Sequence, residues 1–162
     1  KNSINNIDSF SGGHLIKFFY GHMIEELALL LAEVSGHKVD HRQRELKLGN
    51  LSALRDWGHA KDYVEAMWLM LQQGKPDDFV IGTGKQYSVR DFAKIAFSIV
   101  GLNYKKYIKI DKNLFRPAEV TTLLANPSKA KKTLKWRQKI SFKQLVKEMV
   151  ESDIKSVKRS GY

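Results

Sequence analysis

The sequence predicts a small mixed α/β domain, with short strands set between several helices. Three observations carry that prediction. Apolar residues recur at three- and four-residue spacing in several stretches, short alternating runs such as Leu46-Lys47-Leu48 and Tyr107-Ile108-Lys109-Ile110 lie between them, and Gly, Pro and Asn mark the joints. The strands are too few for a complete doubly wound dinucleotide-binding sheet.

The chain has 162 residues, 43% hydrophobic and 28% charged, which is the size and composition of one ordinary globular domain. It has no cysteine, so disulfides, thiolate metal sites and thiol nucleophiles are excluded, and a cytoplasmic location is expected. No apolar run reaches the roughly 18 residues of a membrane span. The polar start, Lys1-Asn2-Ser3-Ile4, is not a secretory signal and lacks Met, as expected of a fragment or a processed chain. The net charge of +11 favours anionic ligands. Its C-terminal lysines are spread over helical positions, however, and no helix-turn-helix or aromatic single-strand platform accompanies them. Nucleic acid is therefore not the expected partner.

Taken in order, residues 1–13 are rich in Asn and Ser. Residues 15–34 carry Met23, Ile24, Leu27, Leu30, Leu31 and Val34 and predict a buried helix, stopped by Ser35-Gly36. His14, His22, His37 and His41 fall on different elements without a compact ligand spacing, and no metal site is expected. Leu46-Lys47-Leu48 is a strand. Residues 59–73 are a helix with Ala60, Tyr63, Val64, Met67, Trp68 and Leu71 as its buried stripe. Phe79-Val80-Ile81-Gly82 is a short buried strand. Ser88 caps a helix with Asp91 in its first turn and Phe92, Ile95, Ala96, Ile99 and Val100 inside, ended by Gly101. A strand at 107–110 and an extended run from Val120 to Leu124 follow. Asn126-Pro127 opens a helix bearing Ala130 and Leu134, with Trp136 after it. Ser141 caps the last helix, whose inner face is Phe142, Leu145, Val146, Met149, Val150 and Ile154.

Two turns are dense in charge. Arg55-Asp56-Trp57-Gly58-His59-Ala60-Lys61-Asp62 joins the strand region to a helix, and Phe115-Arg116-Pro117-Ala118-Glu119 lies downstream. A guanidinium fork holds phosphate oxygens in pairs, and a carboxylate accepts from two ribose hydroxyls. Arg116 is thus a candidate pyrophosphate contact, Glu119 a candidate ribose contact, and Arg55 a second phosphate contact. Pro117 stiffens the turn between Arg116 and Glu119. The same residues also suit purely structural turns. Asp56, His59 and Asp62 could act as acids or bases, but capping is the commoner role at a helix start. Thr83-Gly84-Lys85 lacks the earlier glycine and the following Ser or Thr of a triphosphate loop. No GxGxxG is present, and no Tyr is followed four residues later by Lys.

Residues 46–162 resemble the C-terminal, substrate-binding part of the GDP-mannose 4,6-dehydratases, which are extended short-chain dehydrogenase/reductases. The resemblance runs through Leu48-Gly49-Asn50-Leu51, Arg55-Asp56-Trp57-Gly58-His59-Ala60-Lys61-Asp62-Tyr63-Val64, Met67-Trp68, Tyr87-Ser88-Val89-Arg90, Phe115-Arg116-Pro117-Ala118-Glu119-Val120 and Asn126-Pro127-Ser128-Lys129-Ala130. It implies a nucleotide-sugar binding domain over 46–162, with Arg55 and Arg116 on the diphosphate of GDP-mannose and Glu119 on the ribose. It also implies a parent enzyme that converts GDP-mannose to GDP-4-keto-6-deoxymannose and water with NADP. The cofactor and the catalytic Tyr and Lys would sit in a Rossmann half outside this chain. The implied partners are GDP-mannose, the NADP-binding half and further copies in an oligomer. No catalytic, cofactor-binding or metal-binding residue is assigned here, and the chain alone is expected to be inactive. Residues 1–45 do not match the family segment, and the loop 103–113 is short. These departures motivate an alternative, a non-catalytic nucleotide-sugar-binding or assembly module.

Overall fold

The computed structural model describes residues 45–115, 120 and 122–160. The predicted helix at 15–34 lies outside them. The elements in order are β1 (Leu46–Leu48), β2 (Leu54–Arg55), α1 (Ala60–Leu71), β3 (Tyr87–Ser88), α2 (Val89–Ile99), α3 (Tyr104–Tyr107), β4 (Ile108–Ile110), a 3-10 turn (Lys112–Leu114), α4 (Ser128–Thr133) and α5 (Phe142–Ser160). β1 pairs in parallel with β4, Leu46 opposite Ile108. β2 pairs antiparallel with β3, Leu54 opposite Ser88. The expected mixture of short strands and helices is what forms.

The helix starts obey local chemistry. Ser88 and Asp91 make a reciprocal capping box: the Asp91 N–H donates to Ser88 Oγ at 3.0 Å, and the Ser88 N–H donates to Asp91 Oδ2 at 2.9 Å. Ser141 and Gln144 repeat the device at α5. Asn126 Oδ1 accepts the Ser128 N–H at 3.1 Å and so closes the turn that opens α4. Gly101, at φ +74°, ends the α2 region in the left-handed conformation that glycine adopts at no steric cost.

Two apolar clusters hold the body together. The larger joins β1, Leu51, Trp57, α2 and α5, with Phe92, Phe97, Leu145 and Val146 essentially inaccessible. Trp57 stacks on Phe92 at 5.1 Å between centroids, and Tyr87 stacks on Phe142 at 4.0 Å. The predicted inner face of α5 is confirmed, with Ile154 partly buried at its end. The smaller cluster seats Trp136 against Ala66, Ala130 and Leu134.

Two expectations are corrected. The inner face of α1 is not the stripe of Val64, Met67, Trp68 and Leu71, which are exposed; it carries Asp62 and Ala66, with Tyr63, Leu69 and Met70 half-buried. Trp136 decides this, because its Nε1–H donates to the Asp62 carbonyl at 2.7 Å. The Asp62 carboxylate in turn accepts the N–H groups of Lys139 and Ile140 at 3.1 and 3.0 Å, which makes burial of a charged residue tolerable. Periodicity reveals apolar stripes but not which one finds a partner. Residues 79–82 form no strand: among the described residues nothing pairs with them. Within the run from Val120 to Leu124, Thr122 bridges to Leu54 among the described residues.

Candidate functional site

The charged turn after β2 is built outward from Asp56. Its carboxylate accepts the Thr83 N–H at 2.9 Å, the Thr83 hydroxyl at 2.6 Å, the Gly84 N–H at 2.9 Å and the Ala125 N–H at 3.4 Å. Two separate segments, Thr83-Gly84 and Ala125, are thereby tied to one side chain. This close approach explains Gly82, where a Cβ would overlap the Ala125 methyl group. Asp56 therefore fastens the structure and has little capacity left to act as a base.

His59 and Asp62 are likewise committed. His59 caps α1: its Nδ1 accepts the Lys61 N–H at 3.0 Å, which places the ring proton on Nε2, 3.0 Å from Glu148 Oε2. Asp62 is occupied by the backbone after Trp136, as described above. Capping and stapling, the commoner roles, are the observed ones.

Arg55 sits half-buried at the end of β2. Its Nη1 donates to the Leu54 carbonyl at 2.7 Å and to the Val120 carbonyl at 2.8 Å. The guanidinium thus braces β2 against Val120, the residue that follows Glu119 in sequence. Arg116 and Glu119 themselves lie outside the described residues. A cleft of about 350 Å³ opens beside Arg55 and Asp56, walled by Tyr63, Ile81, Gly82, Leu123, Leu124 and Ala125. That volume is within the range of small-molecule sites.

Tyr63 is a wall residue that sequence reasoning placed only in the core. Burial, then the nearby Asp56 and Asp62 carboxylates, push its phenol up to about 12, so it presents a protonated hydroxyl at neutral pH. Its spacing in the helix gave no sign of this, because the burial that chiefly causes it, and the approach of Asp56, arise only in the folded chain.

The Gly82-Thr83-Gly84 turn does not fit a dinucleotide phosphate. The Gly82-Thr83-Gly84 turn is the nearest thing to a phosphate cradle, but the amides of Thr83 and Gly84 already point at the Asp56 carboxylate. A phosphate there would meet a negative charge instead of free donors. No group of three or more His, Asp or Glu side chains suited to a metal ion occurs among the described residues, and none of their helices is long and apolar enough to cross a membrane.

Comparison with known proteins follows the same lines. The sequence profile described as GDP-mannose 4,6 dehydratase matches residues 29–149, and so begins upstream of Leu46. GDP-mannose 4,6 dehydratase 1 of Arabidopsis thaliana is 53% identical over 117 residues, which is 72% of this chain and 32% of that protein. GDP-mannose 4,6-dehydratase of Vibrio cholerae is 44% identical over 150 aligned positions, covering 72% of this chain and 40% of that protein. Among solved structures, RMD from Pseudomonas aeruginosa complexed with NADPH superposes with a TM-score of 0.70 at 18% identity, covering 85% of this chain and 44% of that one. The chain therefore spans about a third of the length of the curated relatives it matches.

Proposed function

This chain belongs to the GDP-mannose 4,6-dehydratase family, and from that premise we propose that it is the nucleotide-sugar-binding portion of such a dehydratase. The observation that carries the reading is the bond from Arg55 to Val120. It couples one candidate phosphate contact to the segment bearing the other two candidate residues, beside a cleft of suitable size.

In this proposal Arg116 pairs with the diphosphate of GDP-mannose and Glu119 accepts from the ribose hydroxyls. Arg55 holds the Arg116–Glu119 segment against β2 and adds positive charge on the phosphate side. The polypeptide as a whole dehydrates GDP-mannose to GDP-4-keto-6-deoxymannose with NADP, as the names of its relatives and the NADPH-bound neighbour suggest. No hydride or proton step is assigned to the described residues. Their part is to hold and orient the nucleotide diphosphate, which limits the sugar's freedom before reaction.

Isothermal titration of the chain with GDP tests this. Measurable binding is expected, lost when Arg116→Ala and Glu119→Ala are combined. Binding unchanged by that double substitution, or no binding by the unaltered chain, would remove the site.

A further inference from the structure

His59 is the single histidine among the described residues, and its ring joins two helices. Both ring nitrogens are engaged, in opposite senses. Nδ1 accepts the Lys61 N–H at 3.0 Å and so caps α1, while Nε2 lies 3.0 Å from Glu148 Oε2 on α5. One form of the ring satisfies both contacts: neutral, with its proton on Nε2. A second proton has to enter at Nδ1. There it meets the Lys61 N–H, a donor facing a donor, and the cap of α1 is lost. Imidazole is the side chain that ordinarily takes up such a proton between about pH 8 and pH 5.

Glu148 pulls the other way, because a carboxylate favours the cationic ring. The surroundings decide between the two effects. The Glu148 side chain is 53% exposed, so water screens its attraction, whereas the His59 ring is 2% exposed and leaves opposed donors little water to turn to. The other charged groups of the elements that meet at His59 are engaged elsewhere or solvated. On α1, Asp62 accepts from Lys139 and Ile140, Glu65 pairs with Lys139, and Lys61 is exposed. On α5, Lys147 pairs with Glu151, and Lys143 is exposed. In the turn before α1, Asp56 is held by Thr83, Gly84 and Ala125.

We infer that His59 is a proton-operated latch: neutral, it caps α1 and ties it to α5; protonated, it releases the first turn of α1. The release reaches past the ring. The N–H groups of Asp62 and Tyr63 both donate to the His59 carbonyl, at 3.1 and 3.3 Å, so the same turn carries the Asp62 carboxylate that fastens residues 139 and 140 and the Tyr63 side chain that walls the cleft. Mild acid thus loosens α1 at the end nearest the cleft while the apolar core under α5 stays closed. The latch does not depend on what the cleft binds.

Nuclear magnetic resonance of the full chain labelled with nitrogen-15 tests this, with the His59 ring signals assigned by their loss in His59→Asn. At about pH 8 the ring should be neutral with its proton on Nε2. On lowering the pH to about 5 it should take the second proton, and protection of the Lys61 amide, corrected for intrinsic exchange, should fall about fivefold to tenfold, the factor one helix cap is worth. The Val146 amide in α5 should keep its protection throughout. In His59→Asn the amide oxygen takes the place of Nδ1 and does not titrate, so Lys61 should stay protected at both pH values. In His59→Gln the amide nitrogen keeps the Glu148 contact but the cap is missing, so protection should be low at both. Glu148→Gln removes the charge that favours the cation and should move the release to lower pH. A proton on Nδ1 at about pH 8, a ring still neutral at about pH 5, or a protonated ring with Lys61 still protected would each overturn the latch. So would an Asn variant that still loses protection, or a release left in place by Glu148→Gln. Should the variants not fold, the ring signals and the Lys61 amide of the unaltered chain decide, with the ring assigned by its contact to the Lys61 amide.

Discussion

The Nη1 atom of Arg55 lies 2.8 Å from the carbonyl oxygen of Val120, 65 residues further along the chain. That bond ties β2 to Val120, the residue after Glu119 in sequence, and under the proposed function it makes Arg55 a positioning residue. Nη1 alone meets both carbonyls, Leu54 and Val120, and a lysine amine, on a shorter side chain, falls short of that point.

Arg55→Ala and Arg55→Lys should therefore weaken GDP binding by similar factors, about tenfold for a loss of ~1.4 kcal/mol. Titration calorimetry on both variants reads this. A lysine variant with full affinity would show that only the charge matters and would refute the positioning role.

Asp56→Ala removes the acceptor of four hydrogen bonds from Thr83, Gly84 and Ala125. The expected loss is roughly 2–4 kcal/mol, at the severe end for a single substitution, because several donors are left without a partner. Urea midpoints measure it. Asp56→Asn should recover only part, since its NH2 group would face N–H donors. A loss under ~0.5 kcal/mol for Asp56→Ala would show that the two segments are held elsewhere.

Ser88→Ala breaks the capping box of α2 and should cost about 1 kcal/mol at neutral pH. The side-chain hydrogen bond from Ser88, then its backbone N–H, hold the Asp91 carboxylate below its ordinary value of 3.8. A depressed folded value means the contribution is complete above 3.8 and is lost as pH falls through the folded value. The stability gap between the variant and the parent chain should narrow as the solution is acidified through that window. A gap that widens there would contradict the assignment.

Tyr63 should remain protonated after ordinary tyrosines have ionised, with its step near pH 12. Its folded value is raised above the unfolded 10.0, so the associated stability is whole below 10.0 and is lost as pH rises between the two. Ultraviolet titration of the chain against Tyr63→Phe isolates the step. Its appearance near 10 would mean that Tyr63 is neither buried nor close to Asp56 and Asp62.

Much of this was legible in the linear chain. Ser88, Asp91, Asn126, Ser141 and Gly101 mark helix ends because capping and left-handed turns are local chemistry, settled within a few residues. The spacing of Phe142, Leu145, Val146, Met149 and Val150 fixed the inner face of α5, since that helix has one apolar stripe and a charged remainder. The motif residues from Leu48 to Ala130 sufficed to indicate the family.

The tertiary structure decided the rest, because it depends on which surfaces meet. α1 has two apolar stripes of comparable strength, and only the position of Trp136 selects the face holding Ala66 and Asp62. Phe79–Gly82 has a strand's composition, yet a strand exists only where another backbone pairs with it. Asp56 looks like a candidate base until the amides of Thr83 and Gly84 are brought onto it from 27 and 28 residues away. Side-chain type is a property of the sequence; whether a charge is free to act or is used to fasten the fold depends on long-range neighbours that only folding brings together.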